Sequence, residues 1–141
     1  MTTPHEVVDP AGLMQAVGYS HAIAAIQGRT VWVAGQIAAN AEGAIVSETW
    51  AEQFDVALGN VVTCLRAANA EPYHVVSMQI FTSDIAAYRA ATAELGPIYR
   101  RHMGRHFPAM ALLGIAELVD VGAIVEIMAQ AVVPDAGLEG S

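Results

Sequence analysis

Hydrophobic and polar positions alternate with two different periods along this chain, and the changes of period predict its elements. Residues 22–26 and 30–35 are short apolar runs of the kind that favours strands. Gln27-Gly28-Arg29 lies between them, with glycine at its centre, so the pattern predicts a hairpin. Residues 40–43 combine asparagine and glycine and are predicted to form a loop.

An apolar stripe at helical spacing follows this loop and predicts the first helix. Thr49 and Glu52 have the spacing of a capping box at its start, and Ser47 is an alternative cap. Asn69 is a common helix terminator and marks the predicted end. The stripe recurs at steps of three and four residues and consists of Phe54, Leu58, Val61, Leu65 and Ala68.

The second half of the chain repeats this alternation. Residues 75–81 are predicted to be a strand, with Val76, Met78 and Ile80 on one face. Ser83 or Asp84 caps a second helix, which Gly96-Pro97 is expected to kink or break. Two more strands are predicted at 110–115 and 123–133, joined by a turn at 119–122.

The predicted order, ββ-α-β-α-ββ, is that of an α+β domain with two helices on one face of a sheet. We expect a single domain over residues 1–141, with a core at about 13–133, a loosely patterned lead-in at 1–15 and a flexible tail at 134–141. Runs such as 110–113 and 124–128 are mostly apolar on both strand faces. A sheet of that kind needs a second cover, which copies of the chain around a symmetry axis would supply.

Composition supports an oligomer as well. Hydrophobic residues make up 55% of the chain and charged residues 14%, against about 25% charged in an average soluble domain. Apolar patches left exposed by so little charge usually mark interfaces, so we expect an obligate oligomer. An alanine-rich, weakly polar monomer is the alternative.

Charge and segment lengths disfavour several classes of protein. A net charge of −8 and a pI near 4.8 disfavour nucleic-acid binding, and the single basic cluster, residues 100–106, is typical of a solvated helix end. Apolar stretches are too short to span a bilayer, and the first residues lack the pattern of a signal peptide. One cysteine, Cys64, cannot form an internal disulfide, which favours a reducing, cytoplasmic compartment.

Five segments together resemble the RidA/YjgF family of reactive intermediate deaminases. Gly18-Tyr19-Ser20-His21-Ala22 is similar to the G-x-Y-S-x-A opening of that family, and Val33-Ala34-Gly35-Gln36-Ile37 to its S-G-Q-I segment. Residues 75–84 resemble the strand V-x-x-x-x-[YF]-x-x-D. Phe107-Pro108-Ala109 and Val125-Glu126-Ile127-Met128-Ala129 resemble F-P-A-R and V-E-I-E-A. The match covers about residues 13–133 in the family's order and spacing.

The resemblance implies a chorismate-mutase-like fold and a homotrimeric barrel with three clefts between neighbouring subunits. It also implies a chemistry, the hydrolysis of imines and enamines such as 2-aminoacrylate to a keto acid and ammonia. That reaction needs the imine carbon within roughly 3–3.5 Å of a water, a group that orients the water and moves protons, and a cation for a substrate carboxylate.

Three residues match functional positions of the family. Tyr19 falls at its pocket tyrosine, although a buried aromatic at a subunit contact would have the same pattern. Glu126 falls at the glutamate associated with the attacking water; a lone carboxylate in an apolar strand is costly to bury without purpose, and a structural hydrogen bond is its alternative role. Gly35 matches the glycine beside the pocket, or is simply a glycine at the end of a hairpin.

Three other pocket positions depart from the family. Met110 stands where the family has its carboxylate-binding arginine, Ala34 where it has a serine, and Leu112 where it has a cysteine. A thioether cannot hold a carboxylate, so we expect the cleft to hold an uncharged or more apolar ligand with Met110 and Leu112 as walls. Alternatively, an arginine from elsewhere, such as Arg105, replaces the missing cation.

Other chemistry finds little support in the sequence. His102 and His106 have the i, i+4 spacing of zinc ligands, but Gly104 lies between them and no third ligand is evident, so we expect neither a metal nor a cofactor. Cys64 lies beside the apolar stripe of the first predicted helix and is interpreted as an inert thiol.

Three functions therefore remain open. The first is an enzyme that hydrolyses an imine, enamine or related C–N compound with Glu126 and Tyr19. The second is a non-catalytic trimer that binds a small apolar metabolite in the same clefts. The third, an RNA-directed or chaperone-like trimer, is disfavoured by the acidity of the chain.

Overall fold

A computed structural model describes residues 1–136 of the chain. Two α-helices lie within a series of strands, and a short 3-10 turn, Pro72–His74, precedes the central strand. In chain order the elements are β1 (Glu6–Val8), β2 (Ala22–Ala24), β3 (Gly28–Gln36), α1 (Trp50–Ala67), β4 (Val75–Thr82), α2 (Ile85–Met103), β5 (Ala109–Gly114) and β6 (Val125–Pro134).

Four strands form the main sheet in the order β3-β6-β4-β5. Neighbours are antiparallel except β4 and β5, which are parallel and are joined by α2, as a crossover connection requires. One hydrophobic core joins both helices to the sheet face that carries Val33, Met78 and Ile127. The predicted α+β class, with two helices on one face of a mixed sheet, is confirmed.

Both helices begin as the sequence indicates. Thr49 caps α1, and its hydroxyl accepts a hydrogen bond from the Glu52 amide at 3.2 Å. Asp84, not Ser83, caps α2 by accepting from the Ala87 amide at 3.0 Å. The apolar stripe of α1 faces the core as predicted, with Phe54, Leu58, Val61 and Leu65 buried and Ala68 partly buried against it.

The expected break at Gly96-Pro97 does not occur, because α2 continues through Pro97 to Met103. Proline removes one amide donor and disfavours a helical conformation in the residue before it. Gly96, which has no β-carbon, relaxes that restriction. Ala91 before Pro97 and both Tyr99 and Met103 after it are buried, so the two halves of the helix pack into the same core.

The predicted hairpin between residues 22–26 and 30–35 is wrong. β2 pairs with β1, which lies within the supposed lead-in, and β3 pairs with β6. Gly28 is required for a different reason than a turn, since a β-carbon there would overlap the backbone carbonyl of Val133 on β6. The structure of this segment is therefore determined by the pairing of β3 with β6 and not by the local turn signal at Gly28.

Some predicted strand faces and boundaries also differ from the structure. The predicted face of β4 holds for Met78 and Ile80, but a register shift between Val75 and Ser77 buries Val75 in place of Val76. Pro134 belongs to β6 and not to a tail. The rest of the expected flexible tail, residues 137–141, lies outside the described residues.

The face of the sheet turned away from the helices, called here the outer face, carries both apolar and polar side chains. Ser77, Gln79 and Gln130 belong to it by register, and hydrogen bonds link them in a polar cluster. The outer face also carries Trp32, which is 77% exposed, and Leu113, which is 46% exposed. Phe81 and Met128 belong to the same face by register and are partly buried.

The prediction of a run that is apolar on both faces holds for residues 110–113, where Met110 and Leu112 face the helices and Ala111 and Leu113 face outward. It does not hold for the whole outer face, because the polar cluster interrupts it.

Within residues 1–136, neither helix combines the length and the apolar character that crossing a bilayer requires.

Candidate functional site

A bulge in β3 places Ala34 and Gly35 on the outer face. Val33 pairs with Ala129 and Gln36 with Ile127, so two residues of β3 oppose one residue of β6. Both Ala34 and Gly35 are exposed. Because Gly35 has no side chain, the bulge brings the backbone of β3 close to β6 at the position of Glu126.

Glu126 occupies the space beside Gly35. A β-carbon on Gly35 would lie 2.7 Å from Oε2 of Glu126 and 2.8 Å from its Cδ, closer than such atoms approach in proteins. Glu126 is partly buried, and its α-carbon lies opposite the α-carbon of Phe81 on β4. Nothing in residues 1–136 forms a recorded hydrogen bond or ion pair with it. The group therefore lies on the outer face between Gly35 and Phe81 and is available to a molecule outside the chain.

The second group of predicted residues lies on the other face of the sheet. Met110 and Leu112 pair with Met78 and Ile80 of β4 and share the helix side of the sheet with them. Together with Tyr19 they line a cavity of about 440 Å³. The whole lining is Val17, Gly18, Tyr19, Trp50, Phe54, Ile80, Tyr88, Thr92, Leu95, Gly96, Tyr99, Phe107, Met110 and Leu112.

The structure thus divides the predicted site into two groups. Tyr19, Met110 and Leu112 come together in the cavity between α2 and β5. Ala34, Gly35 and Glu126 come together on the outer face, outside that cavity. Because successive strand residues point to opposite faces, a substrate within the cavity of one chain does not meet Glu126 of the same chain through the sheet.

The segment before β2 positions Tyr19 at the cavity. The Ser20 amide donates to the carbonyl of Pro108 at 3.0 Å, and its hydroxyl donates to the carbonyl of Phe107 at 2.5 Å. The ring of Tyr19 packs edge-on against His21, whose Nε2 donates to the carbonyl of Met14 at 2.7 Å. These contacts tie Tyr19 to the beginning of β5, next to Met110.

The turn between α2 and β5 is held by two buried polar groups. Tyr99 donates from its hydroxyl to the backbone carbonyl of His106 at 2.7 Å, and burial raises the pKa of Tyr99 well above its usual range. His106 donates from Nε2 to the carbonyl of Val75 at 2.7 Å. Burial lowers the pKa of His106 despite that hydrogen bond, which alone would raise it, and the buried His5 and His74 act in the same direction as burial. His106 therefore ties the turn before β5 to the first residue of β4.

The sequence argument missed the aromatic side of this cavity. Helical spacing places Phe54 in the core stripe of the first helix and gives no role to Trp50, Tyr88 or Tyr99, because spacing alone does not distinguish a core stripe from a cavity wall. The number of aromatic residues in the chain was the available signal for such a cavity. The chain has two Trp, four Tyr and three Phe, and six of these nine line one cavity.

The basic cluster at residues 100–106 is not a continuous positive surface. Arg101 and His102 both contact Asp55 of α1 at 2.6 Å, and these contacts lower the pKa of the Asp55 carboxyl, with the Arg101 hydrogen bond as the largest cause. His106 is buried. Arg105 is exposed and does not line the cavity.

A metal site receives no support from the described part of the chain, where no three His, Cys, Asp or Glu side chains lie together in a suitable arrangement. His102 and His106 in particular are committed to Asp55 and to the Val75 carbonyl.

Known proteins share this sequence and fold. The family model described as endoribonuclease L-PSP matches residues 11–133. The human 2-iminobutanoate/2-iminopropanoate deaminase is 31% identical over 128 residues, which are 89% of this chain and 88% of that protein. A Rid-family protein of unknown function from Yersinia pestis superposes with a TM-score of 0.78 at 29% identity, covering 93% of this chain and 100% of the other. A YjgF-family protein from Mycobacterium tuberculosis gives a TM-score of 0.61 at 30% identity, covering 83% and 88%. On this match of sequence and fold, the chain belongs to the RidA/YjgF family.

Proposed function

We propose that this protein hydrolyses an imine, an enamine or a related C–N compound with release of ammonia, and that its substrate differs from those of relatives that act on iminocarboxylates. The placement of Glu126 carries this proposal. A carboxylate set on the outer sheet face beside a glycine, with no hydrogen bond or ion pair to another residue in 1–136, suits a group that acts on a bound molecule. The human relative is named for deamination of 2-iminobutanoate and 2-iminopropanoate.

The reaction needs one group that moves protons from oxygen to nitrogen. The oxygen of a water bonds to the imine carbon while Glu126 accepts a proton from that water and passes it to the nitrogen. Glu126 then transfers the hydroxyl proton of the carbinolamine to the nitrogen. The C–N bond breaks, ammonia departs, and a carbonyl compound remains. An imine and one water thus give one carbonyl and one ammonia, with Glu126 restored.

The pocket supports a changed specificity. Met110 and Leu112 present a thioether and an alkyl group where an iminocarboxylate would need a cation. No lining residue of the cavity is Asp, Glu, Lys, Arg or His. Placing a carboxylate there would leave it without a charged partner at a high desolvation cost.

Two copies are needed to complete the site on this proposal. Tyr19, Met110 and Leu112 lie on one side of the sheet and Glu126 on the other, so Glu126 of one copy would face the cavity of the next. The exposed apolar side chains of Trp32 and Leu113 on the outer face support burial between copies. A closed ring of three copies, with the same head-to-tail contact repeated, would form three such sites.

Ammonia release from freshly generated imines tests the function. The panel contains 2-iminopropanoate and the neutral imine formed from benzylamine by an amine oxidase, each measured against its spontaneous hydrolysis. Wild type is expected to accelerate the neutral imine, and Glu126→Gln to lose about 10²- to 10⁴-fold of that rate. Met110→Arg is expected to shift the preference toward 2-iminopropanoate. No acceleration of either imine by wild type contradicts the proposal.

Binding without catalysis is the second candidate, and the apolar lining of the cavity favours it. If wild type is inactive while Met110→Arg hydrolyses 2-iminopropanoate, the fold can support the reaction but the wild-type chain does not catalyse it. RNA cleavage, which the family description mentions, receives no support from a net charge of −8 and a basic cluster in which Arg101 and His102 are paired with Asp55 and His106 is buried.

A further inference from the structure

We propose that the cavity between α2 and β5 binds an uncharged aromatic molecule, with the aromatic ring held between two groups of aromatic side chains. The inference rests on the proposed function, because the same cavity would hold the substituent of the imine carbon. It goes further by naming the chemical class of that substituent. The class follows from the shape, charge and hydrogen-bonding capacity of the lining.

Two aromatic groups frame the cavity. On the α1 side, Trp50 stacks on Phe54 with ring centroids 5.5 Å apart and lies 5.1 Å from Tyr88. At the β5 end, Tyr99 and Phe107 stack in parallel at 5.0 Å. Trp50, Phe54 and Tyr99 are buried, whereas Tyr88 is partly exposed and Phe107 is 38% exposed. One ring of each group is thus open to a ligand, and aromatic ligands match such rings in offset or edge-to-face contacts. An alkyl group of the same size would gain burial but not these contacts.

The size of the cavity fits a small ring compound. Its volume of about 440 Å³ lies near the lower end of the range of roughly 300–1,000 Å³ found for ligand pockets. Met110 and Leu112 form part of the floor, and methionine adapts readily to aromatic rings through its sulfur. The lining thus combines fixed aromatic walls with an adaptable floor.

Two hydroxyl groups are left for a polar atom of the ligand. Tyr99 already donates to the His106 carbonyl, and Trp50 donates from its indole nitrogen to the Thr82 hydroxyl at 3.0 Å. Tyr19 and Tyr88 also line the cavity, and neither hydroxyl has a recorded hydrogen bond within residues 1–136. A neutral carbonyl or imine nitrogen can accept from a tyrosine, whereas a carboxylate would find no cation.

Calorimetric titration with three matched probes tests this inference. Acetophenone is neutral and aromatic, cyclohexyl methyl ketone is neutral and aliphatic, and benzoate is aromatic and charged. We expect acetophenone to bind about 3- to 10-fold more tightly than the aliphatic ketone and at least about 10-fold more tightly than benzoate. Equal binding of the two ketones, or preference for benzoate, overturns the inference.

A pair of variants on α2 locates the binding site. Thr92 is exposed but lines the cavity, so Thr92→Trp should fill it and weaken acetophenone binding at least about 10-fold. Ala93 is exposed and does not line the cavity, so Ala93→Trp is a matched control with the same new side chain on the same helix. Equal loss, or no loss, in both variants places the ring elsewhere and contradicts the inference.

The same samples separate this inference from the proposed function. If the neutral imine is hydrolysed in a Glu126-dependent way while acetophenone does not bind, the hydrolase proposal stands and the aromatic site is wrong. If acetophenone binds and Thr92→Trp abolishes binding while no imine is hydrolysed, the aromatic site stands and the hydrolase proposal is wrong. If no probe binds and Thr92→Trp alone changes the oligomeric state, a neighbouring copy fills the cavity and the inference is overturned.

Discussion

The carboxylate of Glu126 lies where a side chain on Gly35 would have to be. Its Oε2 is 2.7 Å from the position of a β-carbon on Gly35, and its Cδ is 2.8 Å from it. The β3 bulge creates this approach by opposing two residues of β3 to one of β6. Glycine at position 35 thus determines where the proposed proton carrier sits.

Substituting Gly35 by alanine should impair catalysis without affecting the hydrophobic core, because Gly35 is exposed on the outer face. The new methyl group would displace the Glu126 carboxylate by an amount on the order of 1 Å, and such a displacement can cost about 10²-fold in rate. Ammonia release from a neutral imine measures the effect.

The double variant identifies the route of that effect. If Gly35→Ala acts only through Glu126, it should cause little further loss in a Glu126→Gln background. Additive losses in the double variant would show that Gly35 acts through something other than the position of Glu126.

Thr82 links α1 to α2 beneath the cavity, and its hydroxyl should matter for stability. It accepts from the Trp50 indole N–H and from the Asp84 amide, each at 3.0 Å, and Thr82 is fully buried. Thr82→Val keeps the shape but leaves the buried indole unpaired, which should cost about 1–3 kcal/mol in the free energy of unfolding. Urea denaturation measures this, and Thr82→Ser, which keeps the hydroxyl, should lose less than Thr82→Val.

His106 should make stability depend on pH. Burial lowers the pKa of His106 below its ordinary value of 6.5, so the unfolded chain takes up a proton at a higher pH than the folded chain. The contribution is complete above about pH 6.5 and is lost as the pH falls toward the folded-state pKa, at no more than about 1.4 kcal/mol per pH unit for one proton. Urea denaturation between pH 7.5 and 5 measures this slope.

A His106→Phe variant separates the proton from the packing. It should be less stable at every pH because the buried Val75 carbonyl loses its donor. Its stability should also fall less steeply on acidification. An unchanged slope would mean that the pH dependence does not come from His106.

Trp32 should hold copies of the chain together if the outer face is an interface. It is 77% exposed at the centre of β3, and replacing it by a charged residue would place an unpaired charge in a buried contact. Trp32→Glu should shift the mass measured by light scattering toward the monomer. Ala93→Glu on the helical side is the control, and a monomeric wild type would contradict the interface.

The sequence predicted helices better than pairings, and the reasons are physical. Helix caps and stripes are local, so Thr49 and the apolar face of α1 could be identified from spacing alone. Pairing partners are distant in sequence. Gly28 had the local signature of a turn, yet its absent side chain serves close approach to Val133, about a hundred positions away.

The candidate site divides in the same way. Family motifs identified Tyr19, Gly35, Glu126 and the departure at Met110, and the structure puts Gly35 beside Glu126. The separation of Glu126 from Met110 follows from strand register, which motif spacing does not reveal. The aromatic wall was missed because Trp50 and Tyr88 come from two different helices and meet only in the folded chain.

Activity of mixed oligomers tests the central claim most directly, namely that Glu126 of one copy serves the cavity of another. Glu126→Gln and Thr92→Trp chains, each inactive alone, are unfolded together in equal amounts and refolded. In a ring of head-to-tail contacts, about a quarter of the sites would pair an intact Glu126 with an intact cavity. The account predicts ammonia release from the neutral imine near that fraction of the wild-type rate. A mixture no more active than either variant alone would contradict it.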